Sequence, residues 1–105
     1  MTRVAAPVCL TAGEVMVELE GSRPLAAAQT LRRSYSGDVL NVAVAIRRLG
    51  LPSTILTKVG DDPFGDYLLD EWRALDVDLR CVTRGDGPTG LYVVEQGSAG
   101  DYDFW

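Results

Sequence analysis

The chain has 105 residues, 47% of them hydrophobic and 24% charged, a globular composition that excludes a disordered, fibrous or membrane-embedded protein. At this length one domain is the ceiling, with roughly 60 to 70% of the unfolded surface buried on folding. Fifteen acidic against ten basic residues give a net charge of −5, which argues against a nucleic-acid partner.

The charge is unevenly spread, with seven basic and four acidic residues over 1–59 but three and eleven over 60–105. There is no histidine, so any acid–base chemistry falls to carboxylates or Lys58, and no metal site is expected. Cys9 and Cys81 lack the close spacing of a zinc or redox pair and read as reduced thiols of a cytoplasmic protein. The longest purely apolar run, Val42 to Ile46, is far short of the roughly 20 residues that span a bilayer, so no membrane partner is expected. The stretch 4–12 loosely mimics a signal segment, but Pro7 and Thr11 interrupt it and Glu14 follows, which reads against export.

In chain order, Val8 to Ala12 and Glu14 to Glu20 read as two strands, the second alternating Val15, Val17 and Leu19 against Met16 and Glu18. Gly21 to Pro24 is a turn, and Leu25 to Tyr35 has no clear period. A helix is expected from Asp38, read as its N-cap, with Leu40, Ala43, Val44 and Leu49 on helical spacing and Gly50 just beyond. Ser53 to Val59 reads as a buried strand. Asp62 as N-cap and Pro63 at the first position then open a second helix, with Leu68, Leu69, Trp72 and Leu75 inward. Val77 to Thr83 and Leu91 to Glu95 read as strands, and Tyr102 to Trp105 alternates as another. The order implies an α/β fold, a parallel sheet flanked by helices, with extra strands forming a small second sheet. The sequence closes on Phe104-Trp105 within an apolar strand pattern, so the expectation is of a truncated polypeptide.

Two motifs imitate chemistry. Gly85-Asp86-Gly87-Pro88-Thr89-Gly90 matches GxGxxG, but a strand rather than a helix follows, so a plain turn is expected and a NAD-binding redox domain would rest on this loop alone. Ser98-Ala99-Gly100-Asp101 imitates an anion hole beside a carboxylate base, and it too runs into a strand pattern, so a hairpin turn with a solvated Asp is expected. Asp61-Asp62 is accounted for by helix capping.

One long stretch is more specific. Tyr35-Ser36-Gly37-Asp38-Val39-Leu40-Asn41 through Leu49-Gly50, followed by Lys58-Val59-Gly60-Asp61-Asp62-Pro63-Phe64-Gly65, resembles the first signature of the ribokinase-like (PfkB-type) carbohydrate kinases. Gly13 to Leu19 is similar to that family's opening strand, and Thr89 to Tyr92 to its lid strand. Within the family the likeness is greatest to 2-keto-3-deoxygluconate kinases, through Glu18, the Gly37-Asp38 pair and Gly90-Leu91-Tyr92.

The residues can be read beside the resemblance. Gly37 lets backbone approach a ligand, Asp38 accepts hydrogen bonds from sugar hydroxyls, and Asn41 offers a donor and an acceptor near the same helix end. Gly37 and Asp38 would equally serve as turn and cap, and Glu18 and Tyr92 as ordinary strand positions. Asn41, inside an apolar helix, is expected to need a partner.

The resemblance implies a ribokinase-like fold with a small β lid built from residues of about 14–35 and 89–105. It also implies that 1–105 is the N-terminal portion of an ATP- and Mg²⁺-dependent kinase acting on a small sugar or sugar acid such as 2-keto-3-deoxygluconate. Gly37, Asp38, Asn41, Tyr92 and Glu18 would contact substrate, while no catalytic residue and no nucleotide site lies in this stretch. The isolated chain is expected to bind neither ATP nor Mg²⁺ and to be inactive, with pairing into a homo-oligomer through lid strands. The alternative is a noncatalytic sugar-binding or lid-type interaction module.

Overall fold

A computed structural model describes residues 9–105. Val8, expected to open the first strand, and residues 4–8 of the signal-like stretch lie outside the described residues. The elements are β1 (Cys9–Ala12), β2 (Met16–Ser22), a short 3-10 turn (Leu25–Ala27), β3 (Arg32–Ser36), α1 (Asp38–Arg48), β4 (Ser53–Val59), α2 (Pro63–Ala74), β5 (Val82–Arg84), β6 (Leu91–Gln96) and β7 (Tyr102–Phe104). They form two sheets.

The first sheet is parallel, in the order β1-β4-β5. Alternation along β4 sends Ile55 and Val59 into a core shared with Leu40 of α1 and Leu68, Leu69 and Trp72 of α2. Both helices therefore cover the same face. On the other face Leu10 and Leu56 are 55% and 48% exposed. Hydroxyl bonds fasten α1 to the strands beneath it, from Ser53 to the Ala43 carbonyl at 2.7 Å and from Thr11 to that of Val39 at 2.8 Å.

The second sheet has the order β3-β2-β6-β7, with β2 parallel to β6 and antiparallel to β3. Its period-two alternation gives it two unlike faces. Val17, Leu19 and Tyr35 pack against the helical core, whereas Met16, Glu18, Ser36 and Tyr92 lie on the reverse face. This sheet stands away from the first, and the radius of gyration of 16.0 Å exceeds the ~13 Å of a compact chain this long.

Three expectations are revised. Asp38 is not the N-cap of α1: Gly37 is, with no side-chain cap bond, and Asp38 is the first helical residue. The strand expected over Val77 to Thr83 shrinks to Val82–Arg84, with Asp78 forming one isolated bridge to Thr54. There the Asp78 carboxylate accepts from the Arg80 N–H at 3.0 Å and the Leu79 carbonyl from the Val82 N–H, so a turn replaces extended chain. The unassigned stretch from Leu25 contains β3, hidden because both faces of its first residues meet solvent and leave no hydrophobic period. Among the described residues both cysteines are free, and no helix is long and apolar enough to cross a membrane.

Candidate functional site

Where the two sheets meet, a hollow of about 570 Å³ opens between the start of α1 and the reverse face of the four-stranded sheet. Ser36, Gly37 and Asp38 form its floor, and Glu14 and Met16 enter from the β1–β2 junction. Tyr92 of β6, with Phe104 and Trp105 at the end of β7, supplies an aromatic wall.

Gly37 is required here by contact, not by conformation. Its φ of 167° is ordinary extended backbone, but an added Cβ would stand 2.9 Å from the Glu14 carbonyl oxygen and 3.2 Å from the Val15 Cα. The β3–α1 junction is therefore pressed onto the β1–β2 junction, and this brings Glu14 and Asp38 to the same hollow. With Gly37 as cap, the Asp38 carboxylate makes no cap bond and is exposed.

Tyr92 is held from behind. Its hydroxyl donates to the Glu18 carboxylate, the cross-strand neighbour of Tyr92 in the β2–β6 ladder. Partial burial and then this bond raise the Tyr92 hydroxyl above its ordinary pKa, so it remains protonated and a donor. Tyr92 and Phe104 lie tilted with ring centroids 6.3 Å apart. A second anchor lies at the near end of β6, where Asp62 accepts from the Thr89 N–H and hydroxyl at 2.8 and 2.7 Å.

Of the residues singled out in the sequence, Gly37, Asp38 and Tyr92 line this hollow, and Glu18 touches it only through Tyr92. Asn41 does not share it. One turn further along α1 it is exposed and lines a separate hollow of about 320 Å³ beside Tyr35 and Leu75. The helix rotates about 100° per residue, so with Leu40 and Ala43 turned inward the Asn41 amide emerges on the flank, in water. The need for a buried partner, inferred from the sequence, disappears with that exposure. Glu14, Met16, Phe104 and Trp105 were not among the candidates. The strand alternation that put Glu18 and Tyr92 on one face places Met16 there too, whereas the fold of β7 onto β6 had no local signal.

Chemically the hollow offers two carboxylates, the hydroxyls of Ser36 and Tyr92 and three aromatic side chains, with no basic side chain lining it among the described residues. Carboxylates accept hydrogen bonds from hydroxyl groups, and the rings give apolar area with a polar edge at Tyr92. Among the described residues no three Cys, Asp or Glu side chains converge as a metal ion requires. The glycine loop at 85–90 joins β5 to β6, with no helix leaving it, so it has the form of a turn and not of a pyrophosphate cradle. The Ser98–Asp101 segment is a hairpin turn between β6 and β7, where Asp101 pairs with Arg23 at 2.8 Å and is not simply solvated.

An α/β layer with a second β sheet folded beside its first helix is the architecture of the ribokinase-like proteins. Residues 8–105 match the pfkB family of carbohydrate kinases, and the chain belongs to that family. It is 35% identical over 88 residues to an uncharacterized sugar kinase of Pyrococcus horikoshii, covering 79% of this chain and 28% of the relative. The structure of that protein in complex with ATP superposes with a TM-score of 0.79 at 29% identity, over 93% of this chain and 34% of the other. The 2-dehydro-3-deoxygluconokinase of Escherichia coli K12 is 32% identical over 98 residues, or 89% of this chain and 30% of the relative. A PfkB family carbohydrate kinase of Listeria grayi gives a TM-score of 0.84 at 27% identity, over 92% of this chain and 31% of that one. The chain thus spans less than a third of the length of the curated relatives it matches.

Proposed function

We propose that this chain is the sugar-contacting N-terminal portion of an ATP-dependent kinase that phosphorylates a hydroxyl of a small sugar or sugar acid, such as 2-keto-3-deoxygluconate. The observation that carries the reading is the hollow itself, which joins Asp38 at a helix start to Tyr92 on the facing sheet, in a chain matched to the family along nearly its whole length. Two relatives with named substrates act on 2-dehydro-3-deoxy sugar acids.

Within this reading Asp38 accepts from sugar hydroxyls, the Gly37 backbone approaches the sugar, and Tyr92, oriented by Glu18, closes one side as part of a lid formed by β2, β3, β6 and β7. Asn41, on the flank of α1 outside this hollow, is not among these contacts. Lid strands also offer the route to a homo-oligomer, through the free edges of β3 and β7, and the setting is cytoplasmic. ATP would supply the phosphoryl group and Mg²⁺ would screen its charge. No side-chain set among the described residues fits the metal, so this chain's share of the chemistry is to bind and orient the sugar and to exclude water.

The test has two parts. An NMR titration of the 105-residue chain with 2-keto-3-deoxygluconate should move the amide signals of Gly37, Asp38 and Tyr92, and unmoved signals would refute the sugar site. A coupled kinase assay on the same chain should give no turnover, and measurable phosphoryl transfer would refute the division of labour.

A further inference from the structure

β7 lies at the edge of the four-stranded sheet, beyond β6. β7 has only three residues, all exposed, and pairs with β6 alone. Yet its end carries Phe104 and Trp105, which wall the hollow. An arm with few buried contacts and solvent-facing backbone bonds belongs to the low end of local stability. A modest interaction therefore decides how long the wall stays in place.

That interaction comes from a loop distant in sequence. Arg23, directly after β2, extends Nη1 to Asp101 and Nη2 to Asp103, both at 2.8 Å. Asp101 precedes β7 and Asp103 is its middle residue, so one planar guanidinium grips both the turn and the strand. Gly97 lies directly beneath this pair, and a Cβ there would stand 2.2 Å from Asp101 Oδ1 and 2.7 Å from Arg23 Nη1, so a side chain at 97 would have to displace one of them. Glu95 of β6 accepts the Leu25 N–H at 2.5 Å, which fixes the segment following Arg23 onto the same strand. A single exposed ion pair contributes little, but two carboxylates on one rigid donor form a small network whose entropy is spent once.

We propose that Arg23 is a positioning residue, a latch that keeps the Phe104–Trp105 wall against the hollow by holding Asp101 and Asp103. The latch acts on the arm and does not depend on what the hollow binds. It makes the wall sensitive to ionic strength, because exposed charges are screened within about 3 Å in 1 M salt.

Amide hydrogen exchange on the full 105-residue chain tests this. Val93 and Trp105 exchange backbone bonds across the arm, at 3.0 and 2.9 Å, while the Val17 N–H bonds to Gly90 in the interior of the same sheet. Arg23→Gln should speed exchange at Val93 and Trp105 by between about threefold and thirtyfold, the range two exposed pairs command, and leave Val17 unchanged. Salt at about 1 M should act on the wild-type arm in the same direction. Arg23→Lys, which keeps the charge, should fall between wild type and Arg23→Gln. Unchanged exchange at Val93 and Trp105 would overturn the latch, and so would equal acceleration at Val17, which would make Arg23 a contributor to general stability.

Discussion

Asp62 and Thr89, 27 positions apart in the chain, are joined twice: the Asp62 carboxylate accepts the Thr89 N–H at 2.8 Å and its hydroxyl at 2.7 Å. The same carboxylate caps α2 through the Gly65 N–H at 2.8 Å, and the Thr89 hydroxyl accepts from Gly60 N–H at 2.9 Å. One side chain thus ties the helical layer to the strand that carries Tyr92. Asp62→Ala should remove the cap and both Thr89 bonds together and lower the melting temperature by roughly 5 °C. Differential scanning calorimetry measures this, and an unchanged midpoint would contradict the junction's role.

The same three donors hold the Asp62 carboxyl at about 2, well below the ordinary carboxylate range, with the Thr89 backbone bond the largest cause. A depressed folded pKa means stability that is present above the unfolded value near 4 and is lost as pH falls through about 2. Acid titration of the wild type should show a loss of stability between those limits. Asp62→Asn should flatten that part of the curve, and a curve of unchanged shape would show that other carboxylates dominate.

Gly37→Ala should be disruptive although its φ is accessible to alanine. The new Cβ meets backbone of Glu14 and Val15, which cannot yield without moving the floor of the hollow. A loss of about 1–3 kcal/mol is expected from overpacking. Chemical denaturation measures it, and any sugar-induced shifts at Asp38 should vanish in the same variant.

Tyr92→Phe removes the hydroxyl and leaves the partly buried Glu18 carboxylate without its donor. Stability should fall by about 1 kcal/mol, the loss expected for one unpaired buried partner. Glu18→Gln should cost less, since its amide still accepts from Tyr92. Urea denaturation compares the two, and the reverse order would show that the Tyr92–Glu18 bond is not what holds the ring.

Much of the layer next to the hollow was legible because it is written in local signals. Asp62-Pro63 announced α2, Gly50 closed α1, and the alternation through Val17 and Leu19 announced β2 and its two faces. What could not be read were the long-range placements. Nothing near Arg23 in sequence points to Asp101 and Asp103, and nothing near Glu14 shows that Gly37 would be pressed onto its backbone. Asn41 was expected to need a partner inside an apolar helix, whereas it is exposed, its neighbour Val42 is 47% exposed and the buried stripe of α1 is narrow. β3 escaped because an exposed sheet edge imposes no hydrophobic period.

The bare side of the parallel sheet has a practical consequence. Leu10 and Leu56 stand in neighbouring strands on a surface that no helix among the described residues shields, while parallel sheets in α/β proteins are ordinarily sandwiched between helices. Oily strand surface of this kind is adhesive, and the surplus of negative charge is what opposes clumping in dilute buffer. Purified chain should therefore light up an apolar dye such as ANS while fully folded, and should lose solubility as the medium is brought toward the isoelectric point near 4.5.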